Sequence, residues 1–173
     1  MARPSARQFR RHQLDEPYRV TDIHERCRVL APGRDRAINK VLLMYSETTR
    51  SIKVTVKPFY LEQHSSPADN HYVWAYHVRI ENCGADTVQL RHRHWRITDG
   101  FGRLQEVRGP GVVGEEPVLA PGESFEYTSS CPLATPSGFM VGDYEMETKG
   151  GENFLVRVPA FSLDTPQPQT RLN

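Results

Sequence analysis

The chain has 173 residues, of which 38% are hydrophobic, and this suits one globular domain with a modest core. It contains no apolar run near the roughly 20 residues that a transmembrane helix needs, so a membrane-spanning channel is excluded. The apolar cluster at 41–45 is too short and too late in the chain for a secretory signal. Three widely spaced cysteines, Cys27, Cys83 and Cys131, form neither a disulfide framework nor a zinc motif. We therefore expect a soluble, cytoplasmic protein.

The net charge of +1 is the sum of two unlike segments. Residues 1–43 carry ten Lys or Arg and five Asp or Glu, whereas residues 44–173 carry 12 basic and 16 acidic residues. We interpret residues 1–43 as a basic extension outside the core, or as upstream sequence if translation starts at Met44. Its interspersed acids do not favour nucleic-acid binding. It contains one predicted short helix, marked by apolar residues at spacings of three and four: Val20, Ile23, Cys27 and Leu30.

From residue 50 onwards, apolar and polar residues alternate, as is typical of half-buried β-strands. About seven such strands, separated by turn signals and without a helical pattern among them, predict an all-β fold. The expected architecture is an immunoglobulin- or fibronectin type III-like antiparallel β-sandwich formed by residues 44–164. Residues 165–173 are expected to be a flexible C-terminal tail.

One strand, at 87–98, changes its alternation. Its apolar residues occupy even positions at Val88 and Leu90 but odd positions at Trp95 and Ile97. A period of two cannot shift without an extra residue, so the pattern predicts a β-bulge or a change of sheet between Arg91 and His94.

Two hairpin registers can also be predicted. Asp99-Gly100 is a strong turn signal that would pair Trp95 with Leu104 and Arg93 with Glu106. A three-residue loop at 149–151 would set Met146 opposite Phe154, which keeps apolar residues on one face.

Residues 109–114 read G-x-G-x-x-G, a pattern that binds pyrophosphate where it joins a strand to a helix. Pro117 and Pro121 prevent a helix here, so a Rossmann site is excluded. The favoured interpretation is a glycine-rich connection crossing between the sheets, and the alternative is an amide nest that holds an anion. The candidate residues for an anion- or partner-binding loop are Arg108, Gly109, Gly111 and Gly114.

His92 and His94 are spaced to share one strand face and are candidate ligands for Zn²⁺ or Co²⁺. Asp143, Glu145 and Glu147 form a row of carboxylates that would suit Mg²⁺ if water completed its coordination. Solvated or hydrogen-bonded side chains are the favoured interpretation of both sets, with bound Co²⁺ or Mg²⁺ as the alternative. No nucleophile elbow, metalloprotease motif or Walker A sequence is present, so we expect a protein without enzymatic activity.

Several segments together are similar in sequence and order to the bacterial ApaG family, between about Met44 and Asp164: 72–76, 94–99, 106–115, 119–129 and 135–140. The resemblance implies a fibronectin-type β-sandwich and a link to Co²⁺ resistance and Mg²⁺ efflux. Related domains also occur within larger eukaryotic proteins, which implies an interaction module. Because no segment here can span a bilayer, any part in efflux must be indirect.

These observations predict a non-enzymatic binding module that acts through protein contacts in divalent-cation homeostasis. Binding of pyrophosphate or a nucleotide by the glycine-rich loop and direct sensing of a divalent metal are the alternatives. Pairing of exposed edge strands into a homo-oligomer is left open.

Overall fold

The computed structural model describes residues 43–166, which form nine β-strands in two antiparallel sheets. The predicted β-sandwich is confirmed, although the seven strands expected from the sequence did not include the first and the sixth of these nine. The strands are β1 (Tyr45–Thr49), β2 (Ile52–Tyr60), β3 (Tyr72–Asn82), β4 (Val88–Asp99), β5 (Leu104–Pro110), β6 (Val118–Leu119), β7 (Ser124–Leu133), β8 (Gly138–Thr148) and β9 (Asn153–Ser162). The helix predicted at the N-terminus and the tail beyond residue 166 lie outside the described residues.

One sheet has the order β1-β2-β3-β7 and the other the order β5-β4-β8-β9, with β6 also paired to β4. Strand β8 pairs with β4 along nearly its full length, so β5 and β6 share the opposite edge of β4. No helix within residues 43–166 is long and apolar enough to cross a membrane.

The inner faces of the two sheets form the core, as the alternating pattern predicts. Trp95 lies at its centre, with its ring perpendicular to those of Tyr144 and Phe161 and 6.1 Å from each ring centroid. Edge-to-face contacts of this kind contribute about 0.5–1.5 kcal/mol each beyond the area that they bury. The hydroxyl groups of Tyr127 and Tyr144 form a buried hydrogen bond of 2.6 Å, and burial raises the pKa of both phenols. These hydroxyls therefore stay neutral, and one donates to the other.

The bulge predicted in β4 is confirmed. The pairing of β4 with β8 shifts between Leu90 and His92, which leaves Arg91 as the extra residue. Val88 and Leu90 before it, and Trp95 and Ile97 after it, are all buried. The extra residue thus allows both halves of β4 to contribute to one core.

The predicted register of the β8–β9 hairpin is confirmed, with Met146 opposite Phe154. The predicted β4–β5 register is wrong, because Trp95 pairs with Val107 and not with Leu104. The turn is wider than a two-residue loop since the Asp99 carboxylate accepts hydrogen bonds from the amides of Phe101 and Arg103, at 2.9 and 3.0 Å. A side chain that caps the turn therefore sets this register.

A substitution at Gly142 tests the packing around Trp95. A Cβ atom at Gly142 would lie 2.6 Å from Trp95 Cε3 and 2.9 Å from the His94 carbonyl oxygen. We expect Gly142→Ala to lower the free energy of unfolding by about 1–3 kcal/mol, the usual cost of overpacking a core. Urea unfolding followed by tryptophan fluorescence measures this change. Gly150→Ala is the control, because its Cβ would meet Thr148 Oγ1 at an ordinary 3.7 Å; equal losses in both variants would contradict the prediction.

Candidate functional site

The glycine-rich motif leads into a short excursion from the edge of the five-stranded sheet. The Gly111 amide donates to the Arg91 carbonyl at 2.8 Å, and the Leu90 amide donates to the Pro117 carbonyl at 3.0 Å. The chain therefore stops pairing with β4 after Gly111 and pairs with the same edge of β4 again from Pro117. Residues 112–116 between these points are called the excursion loop below. The loop interrupts one edge strand of one sheet and does not cross between the sheets, which corrects the interpretation from sequence.

A tight turn closes the excursion loop. The Val112 amide donates to the Glu115 carbonyl at 2.8 Å, and the Glu115 amide donates to the Val112 carbonyl at 2.9 Å. The two central residues, Val113 and Gly114, have φ values of 47° and 83°, which is the left-handed region that a type I′ turn requires. Val112 is fully buried in the core, whereas the side chain of Val113 is 42% exposed at the tip. One valine anchors the loop, and the next projects from it.

Val113 has a strained backbone. Left-handed φ values cost an L-residue roughly 1–2 kcal/mol, and they are least common for β-branched residues. Glycine and asparagine are the usual occupants of this turn position. Strain of this kind persists where the surrounding structure fixes the backbone, and it is concentrated at ligand-contact sites.

Two arginines of β4 hold the base of the loop. Arg93 Nη1 donates to the carbonyl oxygens of Pro110 and Gly111, at 2.8 and 2.9 Å. The Arg91 guanidinium lies between two carboxylates, 2.8 Å from Glu116 and 3.0 Å from Glu147. These arginines lie at the β4 bulge and two residues beyond it. The segment of β4 in which the alternation shifts therefore also supplies the side chains that anchor the loop.

The three glycines of the motif have structural roles. A Cβ at Gly109 would lie 3.2 Å from Arg93 Nη1, and one at Gly111 would overlap the Glu115 carbonyl oxygen. Gly114 occupies the second left-handed position of the turn. The amides of Gly111, Val112 and Glu115 already donate to carbonyl oxygens. The geometry therefore favours a folded connection over an amide nest open to an anion.

Arg108 lies on the outer face of β5, beside the loop rather than within it. Its guanidinium is 70% exposed and lies 3.1 Å from the Glu106 carboxylate. Glu106 also accepts a hydrogen bond of 2.8 Å from His94 Nε2. The hydrogen bonds from His94 and then Arg108 hold the pKa of Glu106 below its usual range.

His92 and His94 share the outer face of the sheet, as their spacing predicts. His92 Nδ1 lies 3.4 Å from Glu145 on β8, whereas His94 contacts Glu106 on β5. The two imidazoles therefore face carboxylates on opposite sides of β4. Within residues 43–166, no group of three or more His, Cys, Asp or Glu side chains is arranged to hold a metal ion.

The carboxylate row of β8 contacts arginine and histidine side chains of β4. Asp143 forms an ion pair of 2.7 Å with Arg96, while Glu145 and Glu147 contact His92 and Arg91. Arg157 lies opposite Asp143 on β9, but Arg96 makes the close contact. The row is thus part of a charge network across the strands.

Sequence reasoning did not identify an apolar row at the other end of this face. Leu104 on β5 and Phe139 on β8 are the two cross-strand neighbours of Thr98 on β4, and they are 59% and 48% exposed. Phe101, in the adjacent turn, is 77% exposed. The sequence signal was the break in polar alternation at Leu104 and Phe139.

The two cysteines in the described residues differ in their surroundings. Burial raises the pKa of the Cys131 thiol to about 12, so the reactive thiolate is scarce. Cys83 is exposed, in the turn that follows β3.

The chain is similar to proteins of one family. A model of the ApaG domain matches residues 62–148. Protein ApaG of Rhodospirillum centenum is 68% identical over 130 residues, which cover 75% of this chain and 100% of that protein. Protein ApaG of Paramagnetospirillum magneticum is 66% identical over the same shares of the two chains. The crystal structure described as the ApaA protein of Bordetella pertussis is 50% identical, with a TM-score of 0.66 over 68% of this chain and 95% of that one.

Substitutions at two glycines test the geometry of the excursion loop. Both have positive φ, so alanine should cost each about 1–2 kcal/mol of folding free energy. Gly111→Ala should cost at least about 1 kcal/mol more than Gly114→Ala, because only its methyl group meets a backbone carbonyl. Urea unfolding of both variants gives the difference. Equal stabilities would show that the close approach at Gly111 is wrong.

Proposed function

Because the chain belongs to the ApaG domain family, we propose that it is a non-enzymatic binding module that recognises a protein partner through the excursion loop. The observation that carries the proposal is the strained, exposed valine at the tip of a tightly anchored turn. An apolar residue held in this conformation lowers the stability of the free protein, so its presence at the tip calls for a gain elsewhere. Burial of Val113 against a partner would supply that gain.

The anchoring of the loop supports this role. Val112 is packed in the core. Arg91 holds the side chain of Glu116, and Arg93 holds the carbonyl groups at the base of the loop. A loop fixed before binding loses little conformational entropy when it meets its partner. Loops on a rigid β-sandwich commonly carry recognition for this reason.

The partner's chemistry follows from what surrounds the tip. Val113 offers an apolar contact beside the carboxylates of Glu115 and Glu116, and Arg91 compensates the second of these. We propose a partner surface with a small apolar pocket and a basic rim. Arg108 stands on the neighbouring strand, where its exposed guanidinium is available to an acidic group of the same partner.

The module is proposed to act in the cytoplasm and in divalent-cation homeostasis, the process to which the family resemblance points. Its part there would be indirect, through the partner, because the proposal includes neither a metal site nor catalysis. The charge network across β4, β5 and β8 leaves the histidines and carboxylates of the outer face with partners inside the protein.

A substitution that relieves the strain but removes the apolar tip tests the proposal. Val113→Asn should leave the free energy of unfolding unchanged or raise it by up to about 1 kcal/mol, because asparagine tolerates the left-handed region. We expect it nevertheless to lower partner retention at least about tenfold, as the loss of one buried apolar contact would. Affinity capture of the tagged full chain from its native cells, with quantitative mass spectrometry, measures retention.

Val118→Asn is the matched control, since Val118 is 56% exposed but lies in a regular strand. It should retain the same proteins as the wild type. In cells that lack the gene, Co²⁺ tolerance should be restored by the wild type and Val118→Asn but not by Val113→Asn. Identical protein retention by all three chains would remove the loop from consideration.

A further inference from the structure

Strand β5 pairs with β4 along one edge, and its opposite edge has no strand partner within residues 43–166. Natural proteins usually protect such an edge with charged side chains, especially lysine, with proline or with a short strand, and charges of one sign repel a second copy. β5 has seven residues, contains no lysine and has its one proline at the last position. Its central charges, Glu106 and Arg108, are opposite in sign.

The hydrogen bonds to β4 show which groups of β5 point to the open edge. The Asp99 amide donates to the Arg103 carbonyl, and the Gly111 amide donates to the Arg91 carbonyl. Hydrogen-bonded pairs alternate along an antiparallel ladder, so the odd-numbered residues of β5 direct their backbone groups to β4. The even-numbered residues Leu104, Glu106, Arg108 and Pro110 therefore direct theirs outward.

We propose that two copies of this chain pair through β5, antiparallel to each other, about a two-fold axis at Val107. The pairing joins the two five-stranded sheets into one continuous sheet. It uses the backbone edge of β5 and not the tip of the excursion loop, so loss of the Val113 contact would leave the pairing intact. Arg108 is the one residue shared with the surface proposed for the partner of Val113, and Glu106 and Val107 belong to the pairing alone.

Charge and backbone direction together select this axis. Outward-pointing groups must face outward-pointing groups, so even-numbered residues must pair with even-numbered residues. With the axis at Val107, Glu106 of each copy lies opposite Arg108 of the other. An axis at Glu106 or at Arg108 would place identical charges directly opposite each other, which is destabilising.

The axis at Val107 also satisfies the remaining groups. Glu106 and Arg108 exchange both backbone hydrogen bonds across the interface. The Leu104 amide donates to the second lone pair of the Pro110 carbonyl of the other copy, whose first lone pair accepts from Arg93 of that copy. Proline has no amide hydrogen, so the ladder ends there. The side chain of Leu104, 59% exposed in one copy, then lies against the proline ring of the other.

A disulfide at the axis tests the register. Val107 would lie opposite itself in a non-hydrogen-bonded pair, whose Cβ atoms are about 4.5–5.5 Å apart, close enough for a disulfide to form after small adjustment. In the full chain with Cys27 and Cys83 replaced by serine, we expect Val107→Cys to form a covalent dimer with oxidised glutathione. Gln105→Cys is the control: it lies on the same strand and face, but would face Gly109 of the second copy and should not cross-link.

A charge exchange tests the same register without cysteines. Sedimentation equilibrium of the full chain should show a monomer–dimer equilibrium. Glu106→Arg and Arg108→Glu should each raise its dissociation constant at least about tenfold, and the double exchange should restore most of the loss. A wild-type chain that stays monomeric, with no cross-link at Val107→Cys, would overturn the proposal. Equal cross-linking at positions 105 and 107, or no recovery in the double exchange, would overturn the register.

Discussion

The extra residue at Arg91 in β4 is the constraint on which the rest of the structure depends. A strand exposes alternate residues to its two faces, so without this residue either Leu90 or Trp95 would leave the core. With it, both are buried, and Trp95 can contact Tyr144 and Phe161. At the same place, the excursion loop interrupts the pairing along the edge of β4, and Arg91 and Arg93 hold that loop. One irregularity thus serves both the core and the proposed recognition surface.

The outer face of the five-stranded sheet explains why residue spacing alone misleads about metals. His92 and His94 share a face, and so do the carboxylates of β8, as ligands on one strand would. Each side chain, however, meets a carboxylate or a basic side chain on a neighbouring strand within 3.4 Å. Cross-strand neighbours lie closer than residues two apart on one strand, so charge pairing wins over convergence on a common ion. The proposed function rests instead on the excursion loop, where an exposed β-branched residue has a left-handed backbone.

The two hairpins show where local patterns suffice. In β8–β9, alternation on both sides of Gly150-Gly151 permits one register that keeps Met146 and Phe154 together, and that register forms. In β4–β5, the turn signal at Asp99-Gly100 was sound, but the Asp99 carboxylate binds amides two and four residues away and widens the turn. Strands β1 and β6 were not predicted, because β1 has only one apolar residue, Tyr45, and β6 has only two residues. Alternation cannot mark so brief a strand.

The sequence by itself determined the sandwich, the faces of its long strands and the position of the bulge, because a period of two is a local property of the chain. It also indicated that the glycine-rich segment is no dinucleotide site, since two prolines forbid the required helix. Only the tertiary structure decided what each glycine of that segment does. Gly109 gives space to Arg93 from the neighbouring strand, and Gly111 to a carbonyl returned by the turn. Such contacts join residues distant along the chain, so no local pattern encodes them, and the strain at Val113 becomes visible only once they are in place.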